Sequence, residues 1–376
     1  MPIHLLAACG PLARNWPERV DYPILEADVR TDAPANPERL RVMAWNVKYG
    51  AGRIDFWFDG WGDRVSMSAD EVHANLDDIR ALVREFQPDI LVTEEIEVDS
   101  KRSAYIDMVD NLLNDPTLGF NYAGYTPNWQ VAYVPDHGLG KVDMGQAVFS
   151  KYPITANVRV DLGPIEEQDA LTRIFYLDRC ITVDTIDLGD GTVTVLGVHP
   201  DAYSTDGTKL RQVAEIYAEA MGIDGDVIVA GDLNVIPPGT LRLEGFADEA
   251  SVDGLRGVGT TDYLSEEEQH ALDDWYANLE EATELDHGDG GLTLAGYTAA
   301  TLESQQVPWY THSISGSVFW TRRLDYLFSN LGWSAGLVVQ SPGDGRTVSL
   351  DGTPIPTLDP MDLSDHAPVF GVLERR

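Results

Sequence analysis

Lysine is nearly missing from this sequence: it occurs five times in 376 residues, at positions 48, 101, 141, 151 and 209. Against 62 Asp and Glu stand only 26 Lys and Arg, a formal charge of −36. A surface of that sign repels polyanions and cannot supply the phosphate neutralisation on which non-specific nucleic-acid binding depends. Long nucleic acid is therefore a disfavoured partner, and a solvated acidic coat suited to a salty environment is the expected exterior. Long apolar runs are also missing, and none reaches the roughly 18 residues that a membrane-crossing helix needs. No low-complexity tract and no repeat of about 20–50 residues occurs, which excludes solenoid and propeller arrays. With 43% hydrophobic and 23% charged residues, the composition is that of a globular protein with enough chain for a large core.

Of the two cysteines, Cys180 lies in the alternating run "LDRCITVDTI" and reads as a small buried hydrophobe. Cys9 ends "HLLAACG", an apolar stretch closed by small residues, as a signal peptide is closed. Leu6-Ala7-Ala8-Cys9-Gly10 resembles the bacterial lipobox, whose cysteine is lipidated. Residues 1–37 are accordingly expected to be a truncated lipoprotein-type signal and an extended tether, and residues 38–376 one domain. An exported bacterial protein, periplasmic or held on a membrane through Cys9, is the expected localisation, and a monomer the expected state.

Strand and helix signals then alternate. "RVMAWNVKYG" (41–50) reads as a strand. A helix follows, with capping-box spacing at Ser68 and Glu71 and apolar residues at 72, 76, 79, 83 and 86, and Pro88 ends it. "DILVTEEIE" (89–97) is a second apolar run. "TVTVLGVHP" (192–200), "TKLRQVAEIYAEAMG" (208–222) and "DVIVAGDLNV" (226–235) repeat the plan of strand, helix, strand. "GQAVFSKYPI" and "RCITVDTI" add strands between these units, and residues 264–283 form a polar, helix-prone segment. Two similar halves, each a sheet covered by helices, are implied.

The apolar runs deliver Asn46, Glu95, His199, Asp232 and Asn234 at or near their C-terminal ends. Asp325 and the pair Asp365-His366 sit beside two more runs. Singly, each has an ordinary explanation: a turn residue, a solvated acid, a hydrogen-bonded histidine. Together they are a set of hard oxygen ligands for Mg²⁺ with two imidazoles that can bind or protonate a phosphate, gathered where strand ends keep a site rigid and open.

In this order, "WNVKYG", "PDILVTEE", "GQAVFSKYPI", "GVHP", "VIVAGDLN", "RLDYLF" and "SDHAPV" resemble the motifs of the endonuclease/exonuclease/phosphatase superfamily over about residues 40–371. The resemblance implies an α/β (α+β) four-layer αββα sandwich, two packed mixed β-sheets flanked by helices. It implies Glu95 as main ligand of Mg²⁺ (or Mn²⁺), with Asn46 and Asp365 close to the metal. Asp232 and Asn234 would position or activate the attacking water, His366 would contact the scissile phosphate under the orientation of Asp325, and His199 would serve the phosphate or leaving group. Where many relatives carry Gln before the metal-binding Glu, this chain has Glu94, which is expected to face solvent.

For substrate, Arg173 and Arg179 in "LTRIFYLDRC" are the expected phosphate contacts, with Lys209 and Arg211 beside them; surface ion pairs are the competing reading. Phe56, Trp57, Phe58 and Trp61 crowd one loop after Asn46 and are expected to staple it to the fold, although such aromatics could also stack a base or grip a lipid headgroup. The implied activity is hydrolysis of a small-molecule or lipid phosphodiester by metal-activated water. A nuclease is the alternative within the same chemistry, and a catalytically idle binder of phosphorylated ligands the alternative outside it.

Overall fold

The computed structural model describes residues 16–33, 35–57, 62–166, 168–202, 204, 206–236, 292–294, 310–313, 320, 322–340 and 357–375. Cys9, Phe58, Trp61 and the segment 264–283 lie outside the described residues.

In chain order the strands are β1 (Arg19–Asp21), β2 (Ile24–Glu26), β3 (Arg39–Asn46), β4 (Ile90–Glu97), β5 (Tyr122–Val134), β6 (Gly140–Ser150), β7 (Ile154–Asp161), β8 (Cys180–Asp187), β9 (Thr192–Val198), β10 (Asp226–Asp232), β11 (Thr293–Leu294), β12 (Asp325–Ser329), β13 (Gly332–Val338) and β14 (Val369–Glu374). Helices α1 (Ala69–Phe86), α2 (Met108–Leu113), α3 (Ala170–Phe175), α4 (Thr208–Met221) and α5 (Pro360–Leu363) intervene. The described strands form two seven-stranded mixed sheets, in the orders β13-β14-β3-β4-β6-β5-β2 and β1-β7-β8-β9-β10-β12-β11.

Period-two alternation explains how these sheets stack. In β3, Val42 and Ala44 join the cluster between the sheets, while Met43 and Trp45 join the cluster under α1 and α2. In β10, Ile228 and Ala230 face the other sheet, and Val227 and Val229 pack under α4. Central strands buried on both faces read as continuous apolar runs, as these do. The result is the four-layer sandwich expected from the sequence. Helix α1 begins at the Ser68–Glu71 capping box, buries Val72, Leu76, Ile79, Val83 and Phe86, and stops at Gln87 in the left-handed conformation just before Pro88. Cys180 is fully buried in β8.

Residues 19–26 belong to the stretch read above as an extended tether. They are extended but paired: β1 runs antiparallel to β7, and β2 antiparallel to β5, so the segment supplies an edge strand to each sheet. Of the crowded loop aromatics, Phe56 is buried with its edge on Tyr49, 5.1 Å between centroids, and Trp57 stacks on His137 at 4.1 Å. Both serve as staples.

The two sheets repeat one arrangement. β3 is parallel to β4 and antiparallel to β14; β10 is parallel to β9 and antiparallel to β12. The C-terminal ends of β3, β4, β9 and β10 and the starts of β12 and β14 therefore lie at one end of the sandwich. Gly231 makes their close approach possible: its φ is +141°, and a Cβ there would stand 2.2 Å from the Val198 carbonyl oxygen and 2.7 Å from Glu94 Oε1. Replacing Gly231 by Ala should cost about 1–3 kcal/mol, the range for overpacking a core. Urea unfolding is the check, and an unchanged midpoint would contradict the packing described.

Candidate active site

Each polar residue reaches the site because its strand ends there. Asn46 closes β3 and Asp232 closes β10, with Asp325 directly opposite Asp232 in the β10–β12 register. Glu95 lies in β4 at a break in register between Thr93 and Ile96, and its φ is +55°. A bulge with left-handed backbone at a bulky residue re-aims a side chain at a cost of order 1–3 kcal/mol, a cost concentrated at functional positions. Asn234 carries a similar φ of +53° just after β10.

A chain of contacts links these groups. Asn46 donates from Nδ2 to Glu95 Oε1 and to Asp232 Oδ2, each at 3.2 Å, while its Oδ1 accepts the Lys48 N–H at 3.0 Å. Asp232 Oδ1 accepts the Asn234 N–H at 2.9 Å, and the Asn234 amide donates to the Pro200 carbonyl at 3.2 Å. His366 Nδ1 meets Asp325 Oδ2 at 2.8 Å, and its Nε2 stands 3.7 Å from Asp232 Oδ2. His199 Nε2 lies 3.5 Å from Asp232 Oδ2 and 3.9 Å from Glu95 Oε1. The local sequence "SDH" is pinned from both sides: Ser364 Oγ donates to the Asn46 carbonyl at 2.8 Å and accepts the His366 N–H at 3.1 Å, and Trp45 Nε1 donates to the His366 carbonyl at 2.8 Å.

The electrostatics follow from burial and pairing. Burial pushes the Asp232 carboxyl up to about 7; Asp325 and Glu95 add to this and His366 opposes it. Burial alone would lower His366, but the Asp325 and Asp232 carboxylates outweigh it and raise the imidazole to about 10. His199 goes the other way, held well below the usual range by burial, then by Arg179 and His366. Burial also pushes Asp365 up, yet Lys48, His366 and Arg53 hold it below the ordinary carboxylate range, with Lys48 Nζ 3.4 Å from Asp365 Oδ2.

Glu94 corrects the expectation of a solvated acid. It is 0% exposed, neither carboxyl oxygen has a hydrogen-bond partner among the described residues, and burial, with Asp325 and Asp232, holds it well above the usual range. Alternation carried the signal: Ile90 and Val92 face the other sheet, and Glu94 continues that series.

Of the basic residues named from the sequence, Arg173 and Arg179 line one cavity, whereas Lys209 and Arg211 are engaged elsewhere. Arg173 is exposed and donates to the Ile165 and Glu166 carbonyls at 2.7 and 3.0 Å. Arg211 forms an ion pair with Glu166 at 2.6 Å, and buried Lys209 donates to the Ala202 carbonyl at 2.7 Å. Arg179 is buried beside the site and donates to the His199 carbonyl at 3.3 Å. Sequence reasoning missed Lys48 and His312. The His312 ring stands edge-on to His366 at 4.8 Å and accepts from Arg322 Nε at 3.1 Å, in a segment with no periodic pattern to mark it.

The donor set fits a hard divalent cation. Glu95 and Asp232 lean on one Asn46 amino group, and like charges brought so close favour a cation between them. Glu95 and Asp365 keep part of their side chains exposed, 25% and 20%, so oxygen donors are presented to an entering ion. Asp232, Asp325 and His366 also place ligand atoms within 4.8 Å of one another. A charged His366, with both ring nitrogens protonated, has no lone pair for a metal, so that trio reads as a proton-holding network.

A model of the endonuclease/exonuclease/phosphatase family matches residues 43–366. No curated protein matches the chain. Among solved structures, an endonuclease/exonuclease/phosphatase from Beutenbergia cavernae is similar at 20% identity and a TM-score of 0.54, over 90% of this chain and 72% of that one. Another from Bacteroides vulgatus is similar at 13% identity and a TM-score of 0.50, over 90% of this chain and 99% of that one. At these identities the likeness concerns the fold.

In excess chelator, NMR of the imidazoles should show His366 protonated up to about pH 10, and Asp325→Asn should bring its midpoint toward that of an ordinary histidine near 6.5. An unchanged midpoint in Asp325→Asn would remove Asp325 from its partnership with His366.

Proposed function

The chain belongs to the endonuclease/exonuclease/phosphatase family, and from that premise we propose that it is a divalent-cation-dependent hydrolase of phosphoester bonds, acting on a small-molecule or lipid phosphodiester. The observation that carries the reading is Asp232, held between a charged imidazole and a neutral one at 3.7 and 3.5 Å.

Phosphodiesters resist hydrolysis because their negative charge repels nucleophiles, so catalysis needs neutralisation of charge and control of protons. Glu95, with Asp365 and, after reversal of its amide, Asn46, would hold Mg²⁺ or Mn²⁺, which supplies neutralisation of the phosphate oxygens when bound. The chain's own residues supply the rest. His366, kept charged by Asp325, donates a hydrogen bond to a phosphate oxygen. Asp232, with Oδ1 fixed by the Asn234 N–H, accepts the proton of the attacking water; a carboxyl brought near neutrality is a stronger base than an ordinary one. His199, kept neutral, contacts the leaving group. The retention of Asp232, Asn234 and His366 in one network favours this over an idle binder, and the charge of −36 favours a small or lipid substrate over long nucleic acid.

Hydrolysis of bis(p-nitrophenyl) phosphate should vanish in excess chelator and return with Mg²⁺ or Mn²⁺. Glu95→Gln should raise the metal concentration needed by roughly 10–100-fold or more, at least the loss seen when a ligand's support is removed. The rate should rise with pH through about 7 as Asp232 loses its proton and fall toward about 10 as His366 loses its own. Full turnover in chelator by folded protein would overturn the metal assignment, and phosphoester binding without turnover would make the chain a binder.

Export with a lipid anchor on Cys9 is proposed as well; its support is the Leu6-Ala7-Ala8-Cys9 stretch. Fatty-acid labelling in a bacterial host should be lost in Cys9→Ser, and equal labelling of both would refute it.

A further inference from the structure

A cavity of about 280 Å³, tied to the His199 carbonyl through Arg179, is lined among others by Trp16, Arg173, Tyr176, Asp178, Arg179 and Asp201. That volume is near the lower end of ligand-binding clefts. Its notable occupant is Arg179. The residue is 7% exposed, and among the described residues it donates one hydrogen bond, to the His199 carbonyl, and its buried Nε has no partner. No carboxylate lies within 4.0 Å of its guanidinium among the described residues. A buried guanidinium without a counter-charge is costly, because desolvation is not offset by pairing. Counter-charges are plentiful here, with 62 acidic residues against 26 basic ones, so the lack of one beside Arg179 points to a ligand.

The cavity's carboxyl groups do not serve that purpose. Asp161 is paired with Arg159 at 2.9 Å, and Asp201, whose Oδ2 accepts the Ser204 N–H at 2.6 Å, stands more than 4.0 Å from the Arg179 guanidinium. Asp178 is pushed up to about 6 by burial and by Asp161, so that its own charge opposes an entering anion less at mildly acid pH. Gln212, also at the wall, spends its amide on the Gly163 carbonyl and the Asp201 N–H. A planar guanidinium with free N–H groups matches an oxyanion in geometry as well as charge.

We propose that this cavity is a second phosphate-binding site, in which Arg179 holds a phosphate group other than the one being cleaved. The group is either a further phosphate on the substrate itself or free inorganic phosphate. Attachment to the substrate rests on the phosphoesterase reading above; phosphate binding at Arg179 does not.

The first test needs no activity. Inorganic phosphate is titrated into the full chain by calorimetry in excess chelator, which leaves the carboxylate-rich active site without its cation. One site should appear in the wild type and in Glu95→Gln, and Arg179→Gln should weaken it about tenfold or more, as expected for loss of a charge-assisted hydrogen bond. Arg179→Lys, which keeps the charge but loses the planar fork, should weaken binding about threefold, and where Arg179→Gln fails to fold, unchanged affinity in Arg179→Lys would overturn the proposal. No binding by the wild type, or equal binding by folded Arg179→Gln, would overturn the proposal. The second test separates the sources by comparing kcat/KM for two aryl phosphodiesters that differ by one added phosphomonoester. If the ligand belongs to the substrate, the wild type should favour the bearer of the extra phosphate about tenfold, and Arg179→Gln should lose that preference. If the ligand is free phosphate, the ratio should stay near one and added phosphate should change both rates alike. No hydrolysis of either would refute the phosphoesterase reading and leave the calorimetric result standing.

Discussion

The imidazole of His366 sits between two carboxyl groups, 2.8 Å from Asp325 and 3.7 Å from Asp232, and the arrangement of the whole site depends on that placement. Glu94, Glu95, Asp232, Asp325 and Asp365 all converge at one end of the sandwich, and acids so close to one another repel. His366 carries the positive charge at their centre, and Lys48 carries another at the edge beside Asp365. Each acid differs in its surroundings, and the differences divide the work. Asp365 faces a lysine and stays ionised, Asp232 is desolvated and raised to about 7, and Glu94 is desolvated with no hydrogen bond to its carboxyl among the described residues.

Such a network is held only by a rigid frame. Two parallel pairs, β3 with β4 and β9 with β10, bring four strand C-termini to the same edge, and two antiparallel neighbours bring Asp325 and His366 back to it. The sheets are covered on both faces, so their ends are fixed by cores on three levels. Backbone strain is stored at two of the positions that matter, Glu95 and Asn234, each with φ above +50°. A well-packed scaffold can bear those costs, and the side chains gain directions that regular strands would not give.

Acidity outside and scarce cations inside form one economy of charge. The few basic residues are not spread evenly over an acidic coat: Lys48, Lys209, Arg102, Arg159, Arg179, Arg322 and Arg323 are all buried. Arg159 is neutralised by Asp161 and Arg102 by Glu97, each within hydrogen-bonding distance. Arg179 is buried with no carboxylate within 4.0 Å of its guanidinium among the described residues, and it donates to the backbone of His199, a residue of the site.

The sequence by itself determined those features that repeat at short range. Capping-box spacing and apolar steps of three and four located α1, alternation located the central strands, and Asn46, Glu95, His199, Asp232, Asn234, Asp325 and His366 stood at the ends of those runs. Only the tertiary structure decided what lies across from each end. Glu94 is buried because β4 keeps its alternation to that point and then bulges at Glu95, and Gly231 of the opposite sheet leaves it room. Arg173 and Arg179 line one cavity, but Arg173 donates to nearby carbonyls, as Lys209 does, and Arg211 pairs with a glutamate, while Arg179 has no carboxylate within 4.0 Å among the described residues. His312 meets His366 from a segment without periodicity. Periodicity is a property of neighbouring residues, whereas burial and charge pairing are set by residues distant in the chain, so the first is legible in a sequence and the second emerges when the sheets pack.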